Sequence, residues 1–382
     1  MLKITAVRTI PIRAPLDYPF WSATHVGLDP RLGAHATRSI LLIEVETADG
    51  LVGLGQCVSA GRNLKALEVL IRDDLSGYLI GEDAFARERI WETAYRATFQ
   101  HGRKGNTIAA LSGLDIALWD LAGQALGAPI YQLLGAAHDS VPAYGSAGFY
   151  AEGKGLKELQ AEIEGLVEQG FRSVKMKIGC LSIEDDLERI RLVRKTLPPG
   201  AGLMVDANRS YSPKTALRVS QRLEELDVLF FEEPTNPDDL EGAEMVAAGS
   251  PVPIAGYETE YTRYGYRELI VRRAIDVAQP NACWCGGISE AKKIGILASA
   301  FHLECVPHTF GSPLTLIANL HVAGSLPNAT AVEFDRTGNP LMRELLEEPP
   351  TIDSESRVHL PTGPGLGVKL NKGAVEKWRM DR

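Results

Sequence analysis

Two lysines stand one residue apart in the apolar run FRSVKMKIG, residues 171–179. Val174, Met176 and Ile178 read as the buried positions of a β-strand, so Lys175 and Lys177 project together from its other face. Two ammonium groups about 7 Å apart beside a core have little structural use, but they have a chemical one. At an effective dielectric near 20 each cation costs the other roughly 2 kcal/mol, which favours a neutral amine, and burial pushes the same way. Lys177 is therefore a candidate base, with Lys175 lowering its pKa.

Six more polar residues end apolar runs further on: Asp206 in LMVDA, Glu232 in VLFFEE, Glu258 in PIAGYE, Asn281 in DVAQPN, His308 in LECVPH and Glu333 in AVEF. Any one of them alone reads as a helix cap or a satisfied core residue. With Lys177 they recur about every 25 residues, the length of one strand, one helix and two short loops. Asp206, Glu232 and Glu258 fall on consecutive strands. Three carboxylates in one site repel unless a cation is present, and three hard oxygen ligands on rigid strands suit Mg2+. Zinc fits less well, because the cluster offers no cysteine and its histidine is two strands away. A metal on a substrate carboxylate would stabilise the charge that develops as the α-proton leaves. Lys177 and His308 would flank the metal from opposite sides. Glu333 would donate or relay a hydrogen bond to the carboxylate oxygen, which requires it to be protonated. Asn208, on the same face as Asp206, would reach the substrate carboxylate.

The elements that must hold these residues follow from periodicity. In the first ~130 residues KITAVRTIPI reads as a strand and RSILLIEVETADGLVGLGQC as a hairpin turning at Asp49-Gly50. NLKALEVLIRDDL, AFARERIWETAYRAT and GNTIAALSGLDIALWDLAGQALG read as helices. Gly50, Gly53 and Gly55 belong to the hairpin rather than to a phosphate loop, since no helix follows them. From VPAYGS onward eight short apolar strands alternate with amphipathic helices. That is an α/β chain with a (β/α) barrel, which gathers the strand-ending residues at its C-terminal mouth. An open Rossmann-type sheet is the runner-up, but it lacks a glycine fingerprint after its first strand.

The 382 residues are 45% apolar and 23% charged, enough for two domains or for one large barrel plus an addition. A net charge of −9 argues against a nucleic-acid partner, which would call for a basic stripe. No run of ~18 apolar residues appears, so no membrane span is expected. The opening MLKITAVRTIPIRAP alternates like a strand and lacks the apolar stretch of a signal peptide. Five cysteines in a long chain suggest a reducing, cytoplasmic setting. Cys283 and Cys285 read as small buried thiols, since no second pair with zinc spacing exists.

The motifs VKMKIG, MVDANRSY, FFEEP, IAGYETEYTRYGY, QPNACWCGGIS, VPHTFGS, AVEF and PTGPGLGV resemble, along essentially the whole chain, the enolase superfamily and its mandelate racemase subgroup. The resemblance implies a (β/α)7β TIM-like barrel over residues 131–354 and an α+β N-terminal capping domain over residues 1–130, with residues 355–382 returning to the cap. It implies Mg2+ held by Asp206, Glu232 and Glu258, with Lys177 as a base and His308 as the opposing acid/base. DVAQPNACWCGG carries no lysine, unlike the muconate-cycloisomerase and dipeptide-epimerase subgroup.

Where the mandelate racemase pattern has an aspartate supporting the histidine, this chain has Asn281. Asparagine can accept the Nδ1–H bond and fix the tautomer, but it brings no charge to stabilise imidazolium. The expected chemistry is thus asymmetric. Lys177 takes the α-proton, an enolate forms, and His308 helps a β-hydroxyl leave as water, which dehydrates a sugar acid (an aldonate or aldarate). Racemisation or epimerisation of a 2-hydroxy acid is the alternative at the same site. A Schiff-base aldolase using Lys177 and a non-catalytic acid-binding protein are readings of other classes. Substrate choice falls to PFWSATHVGLDPRLGAHATR and FQHGRKGN, where His25, Arg31, His35, His101, Arg103 and Lys104 are candidates to bind hydroxyls or a distal carboxylate. The expected partners are a small-molecule carboxylate and further copies of the chain as a homo-oligomer, with no nucleic acid or membrane.

Overall fold

The computed structural model describes residues 1–25, 35–58 and 64–381. β1 (Ile4–Phe20), β2 (His35–Thr47) and β3 (Val52–Val58) form an antiparallel sheet in that order. The hairpin turns where expected: Gly50 has φ 84° and its N–H donates to Thr47 O at 3.0 Å. From Ile40 to Ile43 β2 is buried on both faces, which is why that part reads as an unbroken apolar run. Leu41, Ile43 and Val45 pack with Leu67, Trp91 and Leu114 from three helices, Leu64–Asp73, Arg87–Ala97 and Asn106–Leu126. Ile40 and Leu42 face the other way and join the core of the barrel. Gly53 and Gly55 serve close approach rather than the turn. A Cβ on Gly55 would stand 2.0 Å from Gly113 O, and one on Gly53 2.2 Å from Ala117 O, both in the helix Asn106–Leu126.

Eight parallel strands follow: β4 (Ser140–Ala147), β5 (Ser173–Lys177), β6 (Gly202–Asp206), β7 (Val228–Glu232), β8 (Ile254–Gly256), β9 (Val277–Ala278), β10 (Glu304–Cys305) and β11 (Val332–Asp335). Their order is β10–β9–β8–β7–β6–β5–β4–β11. The two ends of the sheet meet where Cys305 bridges Ala329 in parallel and donates its N–H to Asn328 O at 2.9 Å. Seven helices make the crossovers, from Leu156–Glu168 to Pro313–Gly324, so the expected (β/α)7β barrel is present. Several start on side-chain caps: Ser182, Ser212 and Ser312 each accept from the backbone N–H three residues on. Tyr144, Met204, Phe230, Ala255, Val277 and Val306 fill the barrel interior beneath the mouth. β9 and β10 are shorter than the runs DVAQPN and LECVPH predict. Pro280 and Pro307 lack the N–H that a ladder needs, so pairing stops before them.

The C-terminal segment ties both parts together. β12 (Arg357–His359) pairs antiparallel with β4. Leu366 N donates to Asp120 Oδ1 at 2.7 Å, and Met380 N donates to Pro11 O at 2.9 Å. Beside this seam lies His321, fully buried; its Nδ1 accepts from Tyr131 N and its Nε2 contacts Leu366 O, each at 3.2 Å. All five cysteines are free thiols, and Cys283 and Cys285 are buried as expected. No helix among the described residues is long and apolar enough to cross a membrane.

Two stability predictions follow from this packing. Gly55→Ala forces strand and helix apart and should lower the unfolding free energy by about 1–3 kcal/mol in denaturant titrations; an unchanged midpoint would contradict the close approach. Burial pushes His321 down to about 4. The folded state therefore keeps it neutral, while the unfolded chain takes up a proton below about pH 6.5. Its contribution is complete above that pH and is lost as the pH falls toward 4, for roughly 3 kcal/mol in all. Stability of His321→Gln should accordingly fall less steeply over that interval than that of the parent.

Candidate active site

The structure brings the strand-end residues to one place. Lys177, Asp206 and Glu232 are the last residues of β5, β6 and β7, and the register sets Lys177 opposite Asp206 and Asp206 opposite Glu232. Glu258, Asn281 and His308 lie just past β8, β9 and β10, and Glu333 lies within β11. All are buried except Glu258, which is half-buried. Just beyond β6 and β7 the chain turns through left-handed backbone at Asn208, Arg209 and Glu233, with φ of 41°, 67° and 41°. Such strain clusters where a site over-determines the backbone.

The charges are tightly paired. Lys175 Nζ donates to Glu232 Oε1 and Oε2 at 2.6 and 2.8 Å and lies 2.9 Å from Glu333 Oε1. Lys177 Nζ donates to Asp206 Oδ2. His308 Nε2 lies 2.6 Å from Glu258 Oε2 and 3.5 Å from Glu333 Oε2. Gln279, absent from the sequence-based candidates, donates from Nε2 to Glu232 Oε2 at 2.7 Å. Its position two residues before Asn281 was the available signal for it. Arg209 pairs with Glu233 at 2.6 Å just behind the cluster.

Burial lifts every carboxylate here, and the cations oppose it. Burial raises Asp206, but Lys177 and Lys175 outweigh it and the net direction is down; for Glu232 burial and the neighbouring Asp206 carry it well up. Two expectations need correction. Burial and Lys175 do push Lys177 toward the neutral amine, but the Asp206 carboxylate outweighs them and the net direction is up. Burial raises Glu333, yet Lys175 and His308 bring it below its ordinary value, so it is a carboxylate and not the protonated donor expected. Burial lowers His308, while Glu258 and Glu333 more than restore it.

Asn281 touches His308 as expected, but in the opposite sense. Its Oδ1 accepts from Cys283 N at 2.9 Å and from Asn319 Nδ2 at 3.3 Å, which turns Nδ2 toward His308 Nδ1 at 3.0 Å. Nδ1 is thereby an acceptor, and the ring proton sits on Nε2, facing Glu258.

Among the described residues no three acidic, histidine or cysteine side chains stand in ready metal-ligating geometry. The ammonium groups of Lys175 and Lys177 lie against two of the three carboxylates instead. The donor set nonetheless fits a hard divalent cation. Three carboxylates come from adjacent strands, and Glu258 Oε2 is buried with no aligned hydrogen-bond partner among the described residues, as is Asn208 Oδ1. The other Asn208 groups serve Asp206: its N–H donates to Oδ1 at 2.8 Å and Nδ2 to Oδ2 at 3.4 Å.

The predicted substrate-binding loops are less concentrated. Arg31 and the side chains of His25 and His35 lie outside the described residues. Arg103 is exposed, its guanidinium 5.5 Å from the Phe99 ring centre, and is not among the carboxylates. His101 lies 3.5 Å from Asp74 on the surface, while Lys104 reaches the rim and pairs with Glu260 at 2.8 Å. Aromatic rings line the other side of the site: Lys177 Nζ is 5.1 Å from the Phe149 ring centre, and Phe149 stacks on Phe310 at 5.6 Å.

Asn281→Asp should raise the His308 pKa by about one unit or more, because a carboxylate can accept from Nδ1–H and favours imidazolium. A histidine titration by NMR that does not move in this variant would contradict the contact.

Comparison with known proteins places the chain. Residues 158–374 match the family model described as enolase C-terminal domain-like, and residues 24–135 match the mandelate racemase / muconate lactonizing enzyme N-terminal domain. The arabinonate dehydratase of Saccharolobus solfataricus is 39% identical over 340 residues, covering 89% of this chain and 90% of that protein. The D-galactarolactone cycloisomerase of Agrobacterium fabrum is 37% identical over 390 residues, 99% of each. The crystal structure of a racemase from Streptomyces coelicolor A3(2) with bound magnesium matches with a TM-score of 0.89 at 29% identity, covering 99% of this chain and 100% of that one. The chain belongs to the enolase superfamily, in its mandelate racemase / muconate lactonizing enzyme branch.

Proposed function

We propose that the protein is an acid-sugar dehydratase, a Mg2+-dependent lyase that removes the α-proton of an aldonate or aldarate and expels the β-hydroxyl as water. The observation that carries this reading is the meeting of Lys177 and His308 over one carboxylate cluster at the barrel mouth. Asp206, Glu232 and Glu258 would hold Mg2+, which when bound neutralises the substrate carboxylate and the charge that develops on it. Burial and Lys175 push Lys177 toward the neutral amine that can take the α-proton, and Asp206 opposes them; were Asp206 to serve as a metal ligand, that opposition would weaken. His308 faces the cluster from the opposite side. Protonated on both ring nitrogens, the form that Glu258 and Glu333 favour, it gives its Nε2 proton to the departing hydroxyl, which leaves as water, and reverts to the neutral ring whose Nδ1 accepts from Asn281. Lys175 stays fixed between Glu232 and Glu333, a permanent cation beside the enolate. Asn208 Oδ1 is free to accept from a substrate hydroxyl. In this reading residues 131–354 supply the chemistry, and residues 1–130 with 355–382 close over it.

The relatives include a dehydratase and a cycloisomerase of sugar acids. An isomerase working at the same α-carbon is the second reading, favoured by the cycloisomerase that matches 99% of both chains.

Purified protein with Mg2+ should be screened against aldonic and aldaric acids in D2O. Deuterium at the α-carbon and a 2-oxo-3-deoxy product are expected for at least one acid, and no exchange with any acid would sink the reading. Lys177→Ala should slow exchange by roughly a hundred- to ten-thousand-fold while still binding Mg2+ in calorimetry. Undiminished exchange in that variant would remove Lys177 as the base.

A further inference from the structure

We propose that Arg38, on β2 of the capping sheet, is the subsite for a second anionic group on the substrate, which makes that substrate a diacid of the aldarate type or a lactone retaining one free carboxylate. This deepens the sugar-acid reading above and rests on it.

Arg38 Nε and Nη2 are both buried without a hydrogen-bond partner among the described residues. These two nitrogens form one side of the guanidinium, the edge that grips a carboxylate through two parallel bonds. Leaving such donors buried and unmet is costly unless something completes them. The other arginines near the site are completed within the chain. Arg189 donates to Lys177 O, Asp186 Oδ1 and Gly148 O at 2.7–2.9 Å, and Arg209 pairs with Glu233. The acidic neighbour of Arg38 is Asp335, whose oxygens are already taken. Oδ1 accepts from Thr337 N and Oγ1, and Oδ2 from Gly311 N and Asn339 Nδ2. Burial lowers the Arg38 pKa and Asp335 opposes that, but a guanidinium stays charged in either case.

The position of Arg38 relative to the reactive residues is set by an aromatic floor. Its Cζ lies 4.4 Å from the Phe310 ring centre and 6.0 Å from that of Phe20. Phe310 stacks on Phe149 at 5.6 Å, Lys177 Nζ lies 5.1 Å from Phe149, and the His308 ring lies 6.3 Å from Phe310. Two stacked rings thus separate the proton-transfer pair from an unmet guanidinium edge. A sugar acid lying across them, with its reacting carboxylate at Asp206, Glu232 and Glu258, presents its far end to Arg38.

The test compares galactarate with galactonate, which differ only at the far carbon, in the parent, Arg38→Met and Arg38→Lys. The readout is the ratio of the two kcat/KM values in a single preparation, which cancels any difference in folded fraction. The parent should favour the diacid. Arg38→Met should lower that preference by roughly 10- to 100-fold, the loss of one charge-assisted contact, with Arg38→Lys in between. A ratio unchanged in Arg38→Met, or a parent that favours the monoacid, overturns the proposal. If the parent turns over neither acid, the dehydratase reading is the one in trouble, and Arg38 is judged by calorimetry. The parent with Mg2+ should bind galactarate more tightly than galactonate and Arg38→Met should erase the difference, whereas equal binding by the parent overturns the subsite.

Discussion

Burying like charges is the constraint that organises the barrel mouth. Asp206, Glu232 and Glu333 are almost wholly withdrawn from water, with Glu258 beside them. A carboxylate in that position costs several kcal/mol unless a cation meets it. Lys175 answers Glu232 and Glu333 and Lys177 answers Asp206, while the half-buried Glu258 faces the Nε2–H of His308. Both lysines must rise from the same face of β5, because a one-residue slip would turn both into the helix layer. A cluster of this kind draws cations, and any ligand that takes one carboxylate changes what the neighbouring ammonium feels. The proposed base and the proposed metal ligands are therefore one electrostatic unit.

The cluster holds its shape because its supports are themselves pinned. Asp186 accepts from Gly179 N at 2.7 Å just past β5, while Arg189 holds Lys177 O at 2.9 Å. Gln56 of β3 accepts from Ser312 Oγ at 2.6 Å and donates to Thr315 Oγ1 at 2.8 Å, so the capping sheet grips the start of the helix that follows His308. On that helix, Asn319 reaches Asn281, which in turn touches His308. A continuous buried polar chain thus runs from the capping sheet to the proposed acid. Each member of it is satisfied, and that is the condition under which buried polar groups rigidify a core.

Much of this was legible beforehand for a simple reason. Parallel barrel strands are short apolar runs, and the residue that ends each one must emerge at the same mouth, so order along the chain translates into position in space. The hairpin at Gly50, the long helix Asn106–Leu126 and the alternation of strands and helices were read the same way. The substrate loops were not, because polar loop residues such as His101 and Arg103 look alike whether they line a site or face solvent. Arg38 closes the stretch PFWSATHVGLDPRLGAHATR, but nothing in its local pattern distinguishes it from a strand arginine facing water.

By itself the sequence determined the barrel, the family and the seven strand-end side chains, since these depend on local period and residue type. The tertiary structure alone decided how the charges share protons. That Asp206 outweighs Lys175 at Lys177, that Glu333 stays ionised, and that Asn281 offers its nitrogen and not its oxygen to His308 all depend on distances between groups far apart in the chain. Gly53 and Gly55 make the same point in packing: their type was visible, but the helix backbone that excludes a Cβ appears only in the folded chain. Coulomb energies and steric contacts vary with separation in space, and the linear order of residues carries that separation only where a regular element imposes it.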